Sequence, residues 1–259
     1  MTHSLHPAAQ KGFSSAAELY QQVRPNYPQE VVEWLQNDLE LRLDSKAADL
    51  GAGTGKFIPY LKQATANIIA VEPVTEMLEQ LKIVHPDVQI LQAKSEQIPL
   101  KSESIDAVVC AQSFHWFANI ETLNEIHYIL KPNGHLGLIW NQRDENIDWV
   151  KALADLLVTL EGDTPRFHSG LWKSVFEHQF LFQLESVKVF SQIQTGTVEN
   201  VVSKRLLSTS FIAAMPENEQ LKLKQQFEQI VWAHTGRRAQ DEIDFPYVTY
   251  AYNFRKLTI

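Results

Sequence analysis

Ala47-Ala48-Asp49-Leu50-Gly51-Ala52-Gly53-Thr54-Gly55 sets glycines at alternate positions directly after a short apolar run. Ile68-Ile69-Ala70-Val71-Glu72 follows at about the reach of one strand–helix–strand unit. No other feature of the chain restricts its fold as much. A strand that enters a glycine turn, a helix, and a second strand ending in one carboxylate fit a parallel sheet built from crossover units. Glycine takes positive φ and has no Cβ, so the backbone can bend sharply here and approach a ligand. A helix starting near Thr54 turns its unpaired N–H groups toward that ligand, and Glu72 is placed to accept from a ribose diol. The alternative is an ordinary strand-to-helix turn.

Lys56 stands where a dinucleotide fingerprint has its third glycine, which argues against NAD. Phe57 replaces the Ser or Thr of a phosphate loop and Leu50 its first glycine, which argues against ATP. The pattern Asp-x-Gly-x-Gly-x-Gly, with an acid ending the next strand, resembles the cofactor loop of class I S-adenosylmethionine-dependent methyltransferases. Further segments agree in order. A helical spacing over Val74, Met77, Leu78, Leu81 and Val84 breaks at His85-Pro86, and Val88 to Gln92 then precedes Ala93-Lys94-Ser95-Glu96-Gln97-Ile98-Pro99. This is similar to the family's third strand and adenine loop. Ser104 to Ala111 is expected as a buried central strand followed by Gln112-Ser113-Phe114-His115-Trp116-Phe117. A helix on Ile120, Leu123, Ile126 and Leu130 is expected to stop at Lys131-Pro132-Asn133-Gly134, before a strand from His135 to Trp140 that opens into Asn141-Gln142-Arg143-Asp144.

Glu18-Leu19-Tyr20, Arg24-Pro25-Asn26-Tyr27-Pro28, His115-Trp116-Phe117 and Trp140-Asn141 narrow the resemblance to a subgroup of type 11 domains similar to trans-aconitate and cantharidin methyltransferases. The match covers roughly residues 13 to 145 and continues more weakly to Pro246-Tyr247. The resemblance implies a doubly wound α/β fold, a mostly parallel seven-stranded Rossmann-like sheet with helical cap insertions. It also implies S-adenosyl-L-methionine as cofactor and S-adenosyl-L-homocysteine as product. The cofactor residues implied are Tyr20, Arg24, Asp49, Gly51, Gly53, Gly55, Glu72, Pro73, Lys94, Ser95, Glu96 and Gln112. Within them Ser95 reads the adenine through its backbone and Glu96 braces the loop. Tyr27, His115, Trp116, Asn141 and Arg143 are the expected acceptor contacts.

His115 could take a proton from an acceptor or line its pocket, since a ring nitrogen serves either purpose. Arg143 could fork onto a carboxylate or pair with Asp144 on the surface. Ser208 and Ser210 are expected on a helix surface rather than in a pocket. The implied activity is methyl transfer to a small molecule, at oxygen of a carboxylic acid. A catalytically silent binding protein of the same fold is the alternative. No carboxylate–histidine cluster has metal-ligand spacing, so no metal is expected.

At 259 residues one large domain suffices: a core at about 40–145, a substrate cap from 1–39 and 144–240, and a final strand at 241–254. A break in alternation near Pro246 suggests a bulge or an edge position for that strand. Lys plus Arg total 23 against 31 for Asp plus Glu, a formal charge of −8 without a basic run, so nucleic acid is not an expected partner. One cysteine, Cys110, and the absence of a leader-like or membrane-length apolar run lead to the expectation of a cytoplasmic protein, a monomer or weak homodimer without membrane contact.

Overall fold

The computed structural model describes residues 22–258. Strands and helices alternate as α1 (Val31–Asn37), β1 (Lys46–Leu50), α2 (Ile58–Ala64), β2 (Asn67–Val71), α3 (Thr75–Val84), β3 (Gln89–Leu91), β4 (Ile105–Ala111), α4 (Ile120–Ile129) and β5 (Leu130–Arg143). They are followed by α5 (Asp148–Val158), β6 (Phe182–Thr197), α6 (Glu217–Thr235) and β7 (Glu242–Lys256). The seven strands form one sheet in the order β3-β2-β1-β4-β5-β7-β6. Pairings among the first five are parallel. This is the α/β, Rossmann-like, mostly parallel architecture that the alternating pattern leads one to expect.

Two compact units partition the chain. The larger comprises Tyr27–Trp140, Pro165–Phe190 and Thr249–Ile259. Alternate residues of its central strands enter different apolar clusters: Ala47, Ala70, Ala107 and Val109 join one, whereas Ala48, Leu50, Val71 and Val108 join the other. A strand apolar at every position is therefore buried on both faces, as parallel strands between helices must be. The smaller unit comprises the described part of Met1–Asn26 with Asn141–Thr164 and Ser191–Val248. Its core joins Val150, Leu153 and Leu157 of α5 to Phe227 and Val231 of α6 and to Phe245 and Tyr247 of β7.

Several local expectations are corrected. No gap separates α4 from the next strand: β5 starts at Leu130, and Asn133 absorbs the bend with φ +62°. β6 extends over 16 residues, and because most of its side chains are exposed it carries little apolar signal in the sequence. β7 keeps strict alternation through Pro246, with Ile243, Phe245, Tyr247, Thr249 and Ala251 buried, and it is an inner strand. The apparent break arose because Thr249 is polar while Val248, Tyr250 and Tyr252 occupy the half-buried opposite face. Between β6 and α6 the chain forms a π-helical turn at Glu199–Lys204 followed by two short helical turns, Arg205–Leu207 and Ser210–Ala213.

Candidate active site

The strand order reverses between β1 and β4, so the loops leaving their carboxyl ends diverge and open a crevice. Asp49 pairs with Ala70 on β2 and Val109 on β4, which centres the end of β1 on that crevice. The N–H groups of Gly51 and Ala52 both donate to the Val71 carbonyl, at 2.8 and 3.1 Å, and the Ser113 hydroxyl donates to the Leu50 carbonyl at 2.7 Å. These bonds hold the ends of β1, β2 and β4 together.

The three glycines do different work. A Cβ on Gly51 would lie 2.6 Å from Ser113 Cβ, and one on Gly55 would lie 2.6 Å from His85 Cδ2, so both allow close packing within the protein. Gly53 has φ +56° and, among the described residues, nothing within 4 Å of where a Cβ would stand. It alone faces open space. Glu72 Oε2 accepts the Gly53 N–H at 2.9 Å and Oε1 the Val74 N–H at 3.0 Å, so this carboxylate shapes the turn and keeps lone pairs to spare. Burial pushes its pKa up to about 7, against the effect of those two backbone bonds. Asp49 is fully buried and neither carboxylate oxygen has a hydrogen-bond partner. Burial, helped by the neighbouring Glu72, pushes its pKa up to about 8.

Ser95 in the third loop is buried, its hydroxyl 2.9 Å from that of Thr122. Glu96 accepts from the Asn119 amide at 3.0 Å, Lys94 O accepts the Gln97 N–H at 3.3 Å, and the Pro73 carbonyl accepts from Gln92 at 3.3 Å. Gln112 turns the chain away from β4 with φ +60°, a conformation uncommon outside glycine, while its N–H donates to Ile139 O at 2.8 Å. The chain then forms one 3₁₀ turn, Phe114–Trp116. There the indole N–H of fully buried Trp140 donates to His115 Nδ1 at 3.1 Å. A neutral His115 ring therefore carries its hydrogen on Nε2 and presents a donor, not a base. Trp116 lies against His115 with ring centroids 5.1 Å apart.

Other expected residues fall elsewhere. Tyr20 lies outside the described residues. Tyr27 is buried in the core of the larger unit: its backbone exchanges bonds of 2.9 and 2.7 Å with the Tyr60 hydroxyl, and its ring stands edge-on to Phe57 and Tyr60. In the smaller unit Arg24 donates to the Ser208 carbonyl at 2.8 Å and Asn141 to the Asn26 carbonyl at 2.9 Å. Arg143 does not pair with Asp144, whose carboxylate instead accepts from Asn146. Ser208 and Ser210 are buried, not on a helix surface. Sequence reasoning missed Ser113, whose hydroxyl ties the end of β4 to β1.

A crevice at the reversal point of a parallel sheet, with an open glycine and two buried acids at its base, defines a methyltransferase of the Rossmann-like class. Residues 48–138 match the family model described as a methyltransferase domain. Over 249 residues the chain is 36% identical to an uncharacterized methyltransferase-like protein of Schizosaccharomyces pombe, covering 95% of this chain and 96% of that one. An uncharacterized methyltransferase of Mycobacterium tuberculosis is 34% identical over 214 residues, 76% of this chain and 86% of its own. The protein belongs to this methyltransferase family. A solved structure from Anaeromyxobacter dehalogenans, provisionally described as a type II methyltransferase, shares the fold with a TM-score of 0.67 at 21% identity, covering 90% of this chain and 97% of that one.

The family and fold imply S-adenosylmethionine as cofactor, and two observations fit it. The unpartnered Asp49 carboxylate suits an ammonium group, and the open space at Gly53 is one that a side chain would fill. Among the described residues no helix is long and apolar enough to cross a membrane.

Proposed function

We propose that this protein methylates a small-molecule acceptor at an oxygen of a carboxylic acid. When bound, S-adenosylmethionine supplies a methyl group activated by its sulfonium. Asp49 would hold the ammonium of the methionine part, Glu72 the ribose hydroxyls, and the Lys94–Glu96 loop the adenine. The chain's own contribution is alignment, which in well-oriented systems can remove roughly 7–11 kcal/mol of barrier.

The observation that carries the choice of acceptor is the engagement of His115 Nδ1 by Trp140. A hydroxyl, thiol or ammonium acceptor must lose a proton, whereas a carboxylate arrives without one. His115 is suited to donate from Nε2 to an acceptor oxygen, and a carboxylate accepts such a bond. The single buried Cys110, whose thiol pKa is pushed up by burial, supports a reducing cytoplasmic setting.

Incubation with methyl-labelled S-adenosylmethionine and a set of carboxylic acids tests the reading. Label that mild base releases as methanol supports an ester product, and base-stable label overturns it. Tight S-adenosylhomocysteine binding with no labelled acceptor favours a silent binding protein. His115→Ala is expected to lower kcat/KM about tenfold, the worth of one hydrogen bond to a charged group, without altering the pH profile. Loss of the acidic limb of that profile would restore the histidine as base. Trp140→Phe removes the indole N–H and leaves a smaller ring, so imidazole nitrogen shifts should report loss of the single Nε2–H tautomer. Urea unfolding should show a cost of more than about 1 kcal/mol, because the lost hydrogen bond is joined by a cavity at a fully buried position.

A further inference from the structure

Lys94–Gln97 forms a tight turn closed by the Gln97 N–H on the Lys94 carbonyl at 3.3 Å, with Ser95 and Glu96 at its corners. A short turn alone has several accessible conformations, and contacts from a rigid neighbour select one of them. Here α4 supplies three such contacts. Asn119 donates from Nδ2 to Glu96 Oε1 at 3.0 Å, the Thr122 hydroxyl lies 2.9 Å from that of buried Ser95, and Glu125 Oε1 accepts the Ile98 N–H at 2.7 Å. A spacing of three residues sets Asn119, Thr122 and Glu125 along one side of the helix, so one element holds both corners and the chain leaving the turn.

Asn119 uses both ends of its amide. Its Oδ1 accepts the Thr122 N–H at 2.7 Å, the bond of a helix N-cap. With the oxygen so engaged, the amide nitrogen turns outward to the Glu96 carboxylate, and a bond to a charged acceptor is stronger than one between neutral groups. We infer that Asn119 is a positioning residue for the cofactor: from the N-cap of α4 it presets the Lys94–Gln97 turn in the shape that receives the adenine. The inference rests on the reading that this turn meets the base. Apparent affinity scales with the fraction of molecules already in the competent conformation, so releasing the turn weakens binding although no contact to the ligand is removed.

Asn119→Asp separates capping from positioning. A carboxylate caps a helix as well as an amide does, but toward Glu96 it presents like charge and no donor. The variant is expected to keep its melting temperature and to bind S-adenosylhomocysteine about tenfold more weakly, with faster amide hydrogen exchange at residues 95–98. Methylthioadenosine, which has the base and sugar without the amino acid, should lose affinity by the same factor. Glu96→Gln in the same chain gives the new carboxylate a donor and should restore most of the binding. Asn119→Ala loses the cap but adds no repulsion, so it should melt about 2–4 °C lower yet bind more tightly than Asn119→Asp. A merely structural cap reverses that order, because affinity would then follow stability.

Unchanged S-adenosylhomocysteine affinity in Asn119→Asp overturns the inference, as does a loss that Glu96→Gln leaves in place or one that methylthioadenosine does not share. If the unaltered protein binds neither ligand, the cofactor reading fails and the inference falls with it. Failure of the inference alone leaves binding to the unaltered protein intact, so the two failures differ in outcome.

Discussion

Gly53→Val is expected to leave a folded protein that no longer binds S-adenosylhomocysteine, with affinity reduced by at least about a hundredfold. Two effects act together. Gly53 has φ +56°, where a β-branched residue is a backbone outlier costing about 1–3 kcal/mol. The new side chain would also enter the space beside the turn, where no described residue lies within 4 Å of its Cβ. Calorimetry and circular dichroism check this: a normal spectrum with unchanged affinity would show that the open space is not the ligand's. Gly51→Val gives a contrasting outcome, because its Cβ would strike Ser113 and the variant should lose stability.

The second large effect is on pH dependence. Asp49 and Glu72 titrate near 8 and 7 in the folded, ligand-free protein and near 4 when unfolded. Between those limits the folded state holds more protons, so unfolding free energy falls as pH rises from about 4 to about 8. Each group contributes a slope of at most about 1.4 kcal/mol per pH unit. The melting temperature of the ligand-free protein should therefore decline over this range, and Asp49→Asn should flatten the decline. A cationic cofactor favours the ionised acids, so its affinity should rise with pH between about 6 and 8, with proton release measurable in buffers of different ionisation enthalpy. Affinity that falls over that interval, or a slope unchanged in Asp49→Asn, would remove these acids from the binding site.

Much of the site was legible because it is local. Asp49, the glycine turn and Glu72 lie within two dozen residues, and strand–turn–helix chemistry places them at the ends of adjacent strands whatever the remainder does. The loop after β3 and the turn after β4 were placed by the same order of elements. Roles that depend on neighbours distant in sequence were not legible. Tyr27 looked like a site residue among prolines, yet Phe57 and Tyr60 enclose it. His115 read equally as a base or as a lining group, and only packing showed that Trp140 engages its Nδ1. Ser208 and Ser210 carried surface-like polarity, and only packing showed them buried.

The sequence by itself determined the class of sheet, the position of the crevice and the chemistry of its base, since periodicity, glycine spacing and the two acids act over short range. Tertiary structure alone decided which glycine of the turn has no described neighbour beside it, that the Trp140 indole engages His115 Nδ1, and that Ser113 ties the end of β4 to β1. Those outcomes depend on distances between residues 25 or more apart in the chain, set by how strands and helices pack, and no local pattern encodes them.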